Sequence, residues 1–295
     1  MIKKCYKCYY YKCRKGFQNL KKERLDKYLV DLGYFENKSK AAASILAGDV
    51  LINDERITKA GYQINTQKEY NIRIKSMPYV SRGGFKLEKA LKTFDVVIKD
   101  RICLDAGAST GGFTDCLLQN GARFVYAVDV GYGQLDWKIR SNEHVKPIEK
   151  TNLKICSRED IYAENEPIAD LLVCDVSFIS LEKVLPNFKT LLADKQELIC
   201  LIKPQFEAGK ELVEKGGVIR NRNTHYSVIE SVIECAKGLD YTVLNLTHSA
   251  IKGPCGNIEY LIHLTSEKQD APKFNIKEIV DTAFMELNQQ PLHQT

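Results

Sequence analysis

Apolar positions along the chain follow two rhythms. Up to about residue 75 they are short and widely spaced. Leu25, Leu29 and Leu32 recur at helical intervals and stop at Gly33, which predicts a helix over 24–35 that ends near that glycine. Ser39 is placed to cap a second helix that carries Ala42, Ile45 and Leu46 as far as Gly48. Two short apolar runs, 50–52 and 56–58, flank Asn53-Asp54, a hairpin signal. Tyr70, Ile72 and Ile74 alternate with polar neighbours, as a strand does. These elements make a small α-α-β unit.

Met77-Pro78 breaks that pattern. Beyond it, near-continuous apolar runs of strand length at 102–104, 124–130, 171–175 and 198–202 alternate with helical stretches at 112–120, 181–192 and 225–238. Strands apolar on both sides need cover on both faces, so the rhythm predicts an α/β fold with a parallel sheet between helix layers. Runs at 241–246 and 258–264 are joined by a short link, which predicts that the last strand is antiparallel. Residues 268–295 read as a polar tail with one helix at 276–287. The expected division is a tail at 1–22, a small domain at 23–75, a linker at 76–80, a large domain at 81–267 and a C-terminal tail at 268–295.

Charge sharpens this division. The net +5 of the 295-residue chain hides a split: residues 1–80 carry 17 Lys/Arg against 8 Asp/Glu, and the remainder 26 against 30. The first 22 residues alone hold 8 basic residues and no acid. A basic front points to a polyanionic partner. Arg24, Lys27, Lys38, Lys40 and Lys59 are the small domain's candidate phosphate contacts. No run of 18 apolar residues and no apolar leader segment is present, so neither a membrane span nor secretion is expected. Seven of the ten cysteines are scattered, several inside apolar runs, as buried thiols of a reduced cytoplasmic protein would be. Cys5, Cys8 and Cys13 cluster, but zinc wants four ligands and the next Cys is Cys103, so a solvated basic tail and no metal are expected.

Candidate chemistry lies at strand ends. After the first strand of the large domain comes Asp105-Ala106-Gly107-Ala108-Ser109-Thr110-Gly111-Gly112, a Gly-rich turn into a helix, where a ligand can approach the backbone closely. The spacing is not that of a dinucleotide site. Asp105 suits a ligand with an amino-acid end, and Asp129, at the end of the next strand, stands where an acid takes ribose hydroxyls; together they suggest S-adenosylmethionine. Asp175 and Lys203 follow two further apolar strands, and Glu259 opens the last one. If that strand runs antiparallel, its start lies at the edge that holds Asp175 and Lys203. Lys86 opens the large domain, so two lysines and two acids can converge. A lysine behind five apolar residues is a candidate base, because burial favours the neutral amine. A ribose hydroxyl gains from such a base, whereas a methyl sulfonium needs no acid, its leaving group being a neutral thioether.

Six motifs in order carry a resemblance: Pro78-Tyr79-Val80-Ser81-Arg82-Gly83-Gly84; Gly107-Ala108-Ser109-Thr110-Gly111-Gly112-Phe113-Thr114-Asp115; Val128-Asp129-Val130-Gly131-Tyr132-Gly133-Gln134-Leu135; Asp175-Val176-Ser177-Phe178-Ile179-Ser180; Lys203-Pro204-Gln205-Phe206-Glu207-Ala208-Gly209; and Gly256-Asn257-Ile258-Glu259. Over about 24–264 the chain resembles the TlyA family of ribosomal RNA ribose methyltransferases, also named hemolysin A. The resemblance implies a small α+β RNA-binding domain like that of ribosomal protein S-four. It implies a Rossmann-like, FtsJ-type methyltransferase domain behind it, with a mostly parallel seven-stranded sheet whose last strand is antiparallel. It further implies 2′-O-methylation of cytidine in ribosomal RNA of the small or large subunit. The family's Lys-Asp-Lys-Glu set falls on Lys86, Asp175, Lys203 and Glu259, with Lys203 as base, and its cofactor pattern on Gly107, Ser109, Gly111, Gly112 and Asp129, with Asp105 beside them. Ser39-Lys40 replaces a Ser-Arg pair, Asn53-Asp54 an Asn-Gly turn, and Cys255 an acid common before Gly-Asn-Ile-Glu. A silent ribosome-assembly factor is disfavoured by the intact four residues, and a membrane-active hemolysin by the lack of a span.

Overall fold

The computed structural model describes residues 22–35, 37–46, 48–75 and 78–289. The cysteine cluster Cys5, Cys8 and Cys13, and Ser76-Met77 of the expected linker, lie outside the described residues.

The small domain is built from β1 (Glu23–Arg24), α1 (Leu25–Asp31), α2 (Lys38–Leu46), β2 (Val50–Ile52), β3 (Glu55–Ile57), β4 (Gln63–Ile64) and β5 (Ile72–Ile74). β2 pairs antiparallel with both β3 and β5, and β1 pairs with β4. Asn53 and Asp54 both take positive φ (52° and 69°), the backbone a two-residue hairpin requires, so the replacement of Asn-Gly leaves the turn intact. Gly33 adopts φ +77° and closes the chain back onto Val30 behind α1. One cap differs from expectation: the Lys40 amide donates to Asn37 Oδ1 (2.9 Å), so Asn37 rather than Ser39 caps α2, and the helix begins at Lys38. Leu25, Tyr28, Leu29, Ile45, Val50, Ile52, Ile64 and Ile74 form this domain's core.

In the large domain follow α3 (Gly83–Phe94), β6 (Ile102–Ala106), α4 (Gly112–Gln119), β7 (Phe124–Val128), α5 (Trp137–Arg140), β8 (Val145–Ile148), β9 (Leu171–Cys174), α6 (Leu185–Leu191), β10 (Glu197–Ile202), α7 (Pro204–Glu207), α8 (Arg222–Gly238), β11 (Thr242–His248), β12 (Tyr260–Thr265) and α9 (Ile276–Gln289). Seven strands run in the order β11-β12-β10-β9-β6-β7-β8, parallel except for the last in sequence, β12, which is antiparallel to both neighbours. Leu87, Ala90, Leu91 and Phe94 of α3 and Phe113, Cys116 and Leu117 of α4 cover one face of the sheet. On the other face lie Leu185, Phe188 and Leu191 of α6 and Val228, Ile229 and Val232 of α8.

Three features depart from the sequence reading. Residues 276–287 are no tail: Val280, Ala283 and Leu287 of α9 are buried in the second core, and the helix packs on α8 and β11. The helix expected at 181–192 is a short 3-10 turn, Leu181–Lys183, followed by α6 with Pro186 in its first turn, where a missing amide hydrogen costs nothing. The edge strand β8 contains Pro147, a residue that an edge tolerates and that hides a strand from pattern reading.

β6 and β9 are neighbours from which the connections proceed in opposite directions, so the sheet has its topological switch point between them. A Cβ on Gly107, just after β6, would lie 3.2 Å from the Asp175 carbonyl oxygen, just after β9. The two strand ends expected to carry chemistry therefore meet at that crevice.

Candidate active site

Four elements deliver the four charged residues. Lys86 comes from the first turn of α3, Asp175 follows β9, Lys203 follows β10, and Glu259 precedes β12, whose antiparallel course turns its start toward the same edge. Lys86 Nζ stands 2.7 Å from Glu259 Oε2 and 3.4 Å from Asp175 Oδ2, and Lys203 Nζ stands 2.5 Å from Asp175 Oδ1. The result is a chain Glu259–Lys86–Asp175–Lys203 of alternating sign. Glu259 is fully buried, and Lys86 and Lys203 are each 5% exposed. Isolated charges do not survive such burial; two cations and two anions in contact do. Burial disfavours the Asp175 carboxylate, but Lys203 and Lys86 outweigh it and hold its pKa below the usual range. Burial likewise opposes the Lys86 ammonium, and Asp175 and Glu259 overcome it and raise its pKa.

The sequence reading assigned no role to the residues that steady this set. Ser177 Oγ accepts from Lys203 Nζ at 2.8 Å, and Gln205 Nε2 donates to Glu259 Oε1 at 3.4 Å. Asn257, buried, accepts from the Ile219 amide (3.0 Å) and donates to the Gly217 carbonyl (2.7 Å), which pins the loop before Glu259. A Cβ on Gly253 would fall 2.4 Å from Glu259 Oε1, so only glycine lets that loop close over the acid. Glu207 accepts from the Leu181 amide with both oxygens (2.9 and 3.2 Å) and anchors the far end of the loop holding Ser177 and Phe178. Phe178, at φ 65°, is half exposed with its ring 4.9 Å from that of Phe206. Ser177, Gln205, Glu207 and Asn257 all stand inside the quoted motifs; their polar side chains among apolar neighbours were the available signal.

The crevice beside this set is shaped by the Gly-rich turn. Gly107 and Gly111 adopt φ +87° and +92°, and a Cβ on Gly111 would press to 2.9 Å from Leu135. Gly112 opens α4, where a Cβ would strike Ser81 Oγ at 2.2 Å. Asp129 holds the turn from the next strand: its Oδ2 accepts from the Ser109 amide (2.8 Å) and its Oδ1 from the Gly131 amide (2.6 Å). Each carboxylate oxygen keeps a further lone pair for a ligand hydroxyl. A backbone cradle beside an acid on the neighbouring strand fits the nucleoside and amino-acid ends of S-adenosylmethionine.

Asp105 lies differently from expectation. Its carboxyl is fully buried beneath the turn, where Oδ2 accepts from the Thr114 hydroxyl (2.6 Å) and burial pushes its pKa up to about 7. It braces the turn from below rather than lining the open crevice. Lys27 is engaged by Glu23 of β1 and Asp31 of its own helix and is only 23% exposed. Arg24 is exposed but forks onto Asp26 (3.1 and 2.5 Å), and Lys38, Lys40 and Lys59 are exposed. Among the described residues no cluster of three or more His, Cys, Asp or Glu is placed to hold a metal ion. No described helix is long and apolar enough to cross a membrane.

Comparison with known proteins decides the family. The model of the FtsJ-like methyltransferase matches residues 79–266, and that of the S4 domain matches 23–69. The chain belongs to the FtsJ-like methyltransferase family. YqxC of Bacillus subtilis, provisionally named an rRNA methyltransferase, is 43% identical over 92% of this chain and 97% of its own. The 16S/23S rRNA (cytidine-2′-O)-methyltransferase TlyA of Mycobacterium tuberculosis is 35% identical over 92% of this chain and 99% of its own. A solved structure from Streptococcus thermophilus, provisionally named a hemolysin, superposes with a TM-score of 0.71 at 41% identity, covering 91% of this chain and 98% of that one. The TlyA-family resemblance of the six motifs therefore stands, as does the fold expected from it: a small RNA-binding domain ahead of a methyltransferase sheet with one antiparallel strand.

Proposed function

We propose that this FtsJ-like methyltransferase transfers the methyl group of S-adenosylmethionine to the 2′-hydroxyl of a cytidine in ribosomal RNA, in the cytoplasm. The observation that carries the reading is the convergence of Lys86, Asp175, Lys203 and Glu259 from four separate elements at the switch point, beside a backbone cradle. Names of relatives acting on cytidine in ribosomal RNA supply the substrate class.

Gly107, Ser109, Gly111 and Gly112 would hold the cofactor along the turn, and Asp129 would take its ribose hydroxyls. When bound, S-adenosylmethionine supplies an activated methyl group on a sulfonium. The chain's own work is then alignment and proton removal. Lys203, in its neutral form, takes the 2′-hydroxyl proton. Asp175 fixes the direction of the Lys203 amine, and Lys86, held by Glu259, orients and polarises the hydroxyl oxygen. The small domain grips RNA backbone through Lys38, Lys40, Lys59 and Arg24, which compensates for a large domain carrying slightly more acid than base.

Tritiated methyl transfer to ribosomal subunits, with the modified ribose mapped by its resistance to alkaline cleavage, tests the reading. The parent chain methylates a cytidine 2′-oxygen, and Lys203→Ala loses about 10²–10⁴-fold in rate with unchanged circular dichroism. Full activity in that variant removes Lys203 as the base. Transfer to a base rather than a ribose overturns the reaction class.

A further inference from the structure

Three oxygens surround the Lys203 amine, and they differ in kind. Asp175 Oδ1 lies at 2.5 Å, the Asp175 carbonyl at 3.3 Å and Ser177 Oγ at 2.8 Å. An ammonium has three N–H bonds: one is donated to the carbonyl and one to Ser177 Oγ, while the carboxylate oxygen answers the charge at ion-pair distance. A neutral amine gains a lone pair in place of one N–H, and whichever neighbour that lone pair meets must donate to it or turn away. The peptide carbonyl only accepts. The carboxylate also only accepts while it is ionised, and its two lysines keep it so against burial. The Ser177 hydroxyl alone both accepts and donates.

Exposure separates the three again. Lys203 is buried and the Asp175 carboxyl largely so, while Ser177 is exposed on the loop after β9. Its hydroxyl therefore touches a buried amine on one side and solvent on the other. The fold takes care over where that loop sits: Glu207 holds its far end through the Leu181 amide, and Phe178 accepts a left-handed backbone immediately after Ser177.

We infer that Ser177 is the proton exit of the active site, the group through which Lys203 is returned to its neutral form after each turnover. The inference rests on Lys203 being the base. Once Lys203 has taken the hydroxyl proton it is an ammonium whose N–H points at Ser177 Oγ. That N–H bond breaks as the proton moves to Oγ, and the original hydroxyl proton of Ser177 leaves to a water or a buffer base at the surface. Lys203 is left as a neutral amine, Ser177 is unchanged, and the outgoing charge is carried by hydronium or by the protonated buffer. The same contact accounts for a hydroxyl here rather than an amide or a carboxylate: an amide accepts and donates through different atoms and cannot pass a proton on, and a second acid beside Asp175 would tie the amine down as an ammonium.

The test compares Ser177→Ala and Ser177→Thr in the full chain, with ribosomal subunits and tritiated S-adenosylmethionine. The first turnover, measured with enzyme in excess, is expected to fall less than steady turnover in Ser177→Ala and to hold in Ser177→Thr. Steady turnover at pH 7 is expected to fall at least about tenfold in Ser177→Ala, within the usual range for loss of a proton-transfer group, and to hold in Ser177→Thr. Small buffer bases such as imidazole restore the Ser177→Ala rate in proportion to their concentration, while KM for the subunit stays unchanged. An equal loss in the first and later turnovers, or a loss that no buffer base restores, marks a structural role and overturns the inference. So does an unaltered steady rate in Ser177→Ala. Activity persisting in Lys203→Ala is a separate result, because it removes the base itself whatever Ser177 does.

Discussion

The two domains handle charge in opposite ways. In the small domain Arg24, Lys38, Lys40, Lys59 and Arg73 lie at the surface; Arg24 is answered by Asp26, and Arg73 by the exposed Asp54. In the large domain Lys86, Asp175, Lys203 and Glu259 come from positions up to 173 residues apart and meet in the interior. An exposed ion pair contributes little, because water already satisfies both partners. A buried one is a commitment of the whole fold, since removing one member strands the other. Buried charge therefore reports a site, whereas exposed charge reports only a tendency toward a polyanion.

The sharpest break of that comparison is to remove one partner in each domain. Lys86→Met leaves Glu259 fully buried with only the long contact from Gln205, and should lower stability by about 3–5 kcal/mol in chemical denaturation. Joining it to Glu259→Gln removes the stranded charge, so the pair of changes should cost less than their sum. Arg73→Met, against the exposed Asp54, should cost no more than about 1 kcal/mol. Similar losses for Lys86→Met and Arg73→Met would mean that the buried chain is no more interdependent than a surface pair.

Legibility followed the same line. Asp175 and Lys203 could be read because each ends a run of apolar residues, and Glu259 because the strand it opens was expected to reverse. Helix α3 carries Leu87, Ala90, Leu91 and Phe94 at helical spacing, yet it was not assigned, since Gly83-Gly84 at its start reads as a loop and Arg82 gives no side-chain cap. Strands β1 and β4 are two residues each, too short for any periodicity. Ser177 on Lys203 is a contact between segments 26 residues apart, and neither segment alone signals it. Asp105 reads as facing a ligand because it precedes the glycines; its buried partner is Thr114, which the packed α4 brings under the turn.

Asp105 yields the next prediction, of intermediate size. Its carboxyl titrates near pH 7 when folded, against about 3.8 otherwise, so the native chain binds more protons than the unfolded one across that interval. Its contribution is fully present below about pH 4 and is lost as pH rises toward 7 and beyond, a loss on the order of a few kcal/mol. Asp105→Asn keeps a partner for the Thr114 hydroxyl and cannot ionise. Thermal unfolding at pH 5 and pH 8 should therefore show the variant gaining on the parent at the higher pH. A gap between the two that does not change with pH would show that the buried carboxyl titrates as an ordinary one.

The smallest effects belong to the small domain's surface, where the comparison predicts many weak contributions rather than one decisive group. Lys38, Lys40 and Lys59 are exposed, so replacing all three with alanine should weaken binding to ribosomal RNA several-fold. It should also flatten the dependence of log affinity on log salt by at most about 2, since each phosphate contact on a single strand accounts for roughly 0.7 of slope. Affinity for S-adenosylmethionine, read by calorimetry, should not move, because none of the three touches the crevice. Lys27→Ala is the internal contrast. Its amine already faces Glu23 and Asp31 and would have to leave both to reach a phosphate, so that change should leave RNA binding and its salt slope as they are. If Lys27→Ala weakens RNA binding as much as the triple change does, exposure does not sort these lysines, and the domain's grip on RNA must come from rearranging its surface pairs on contact.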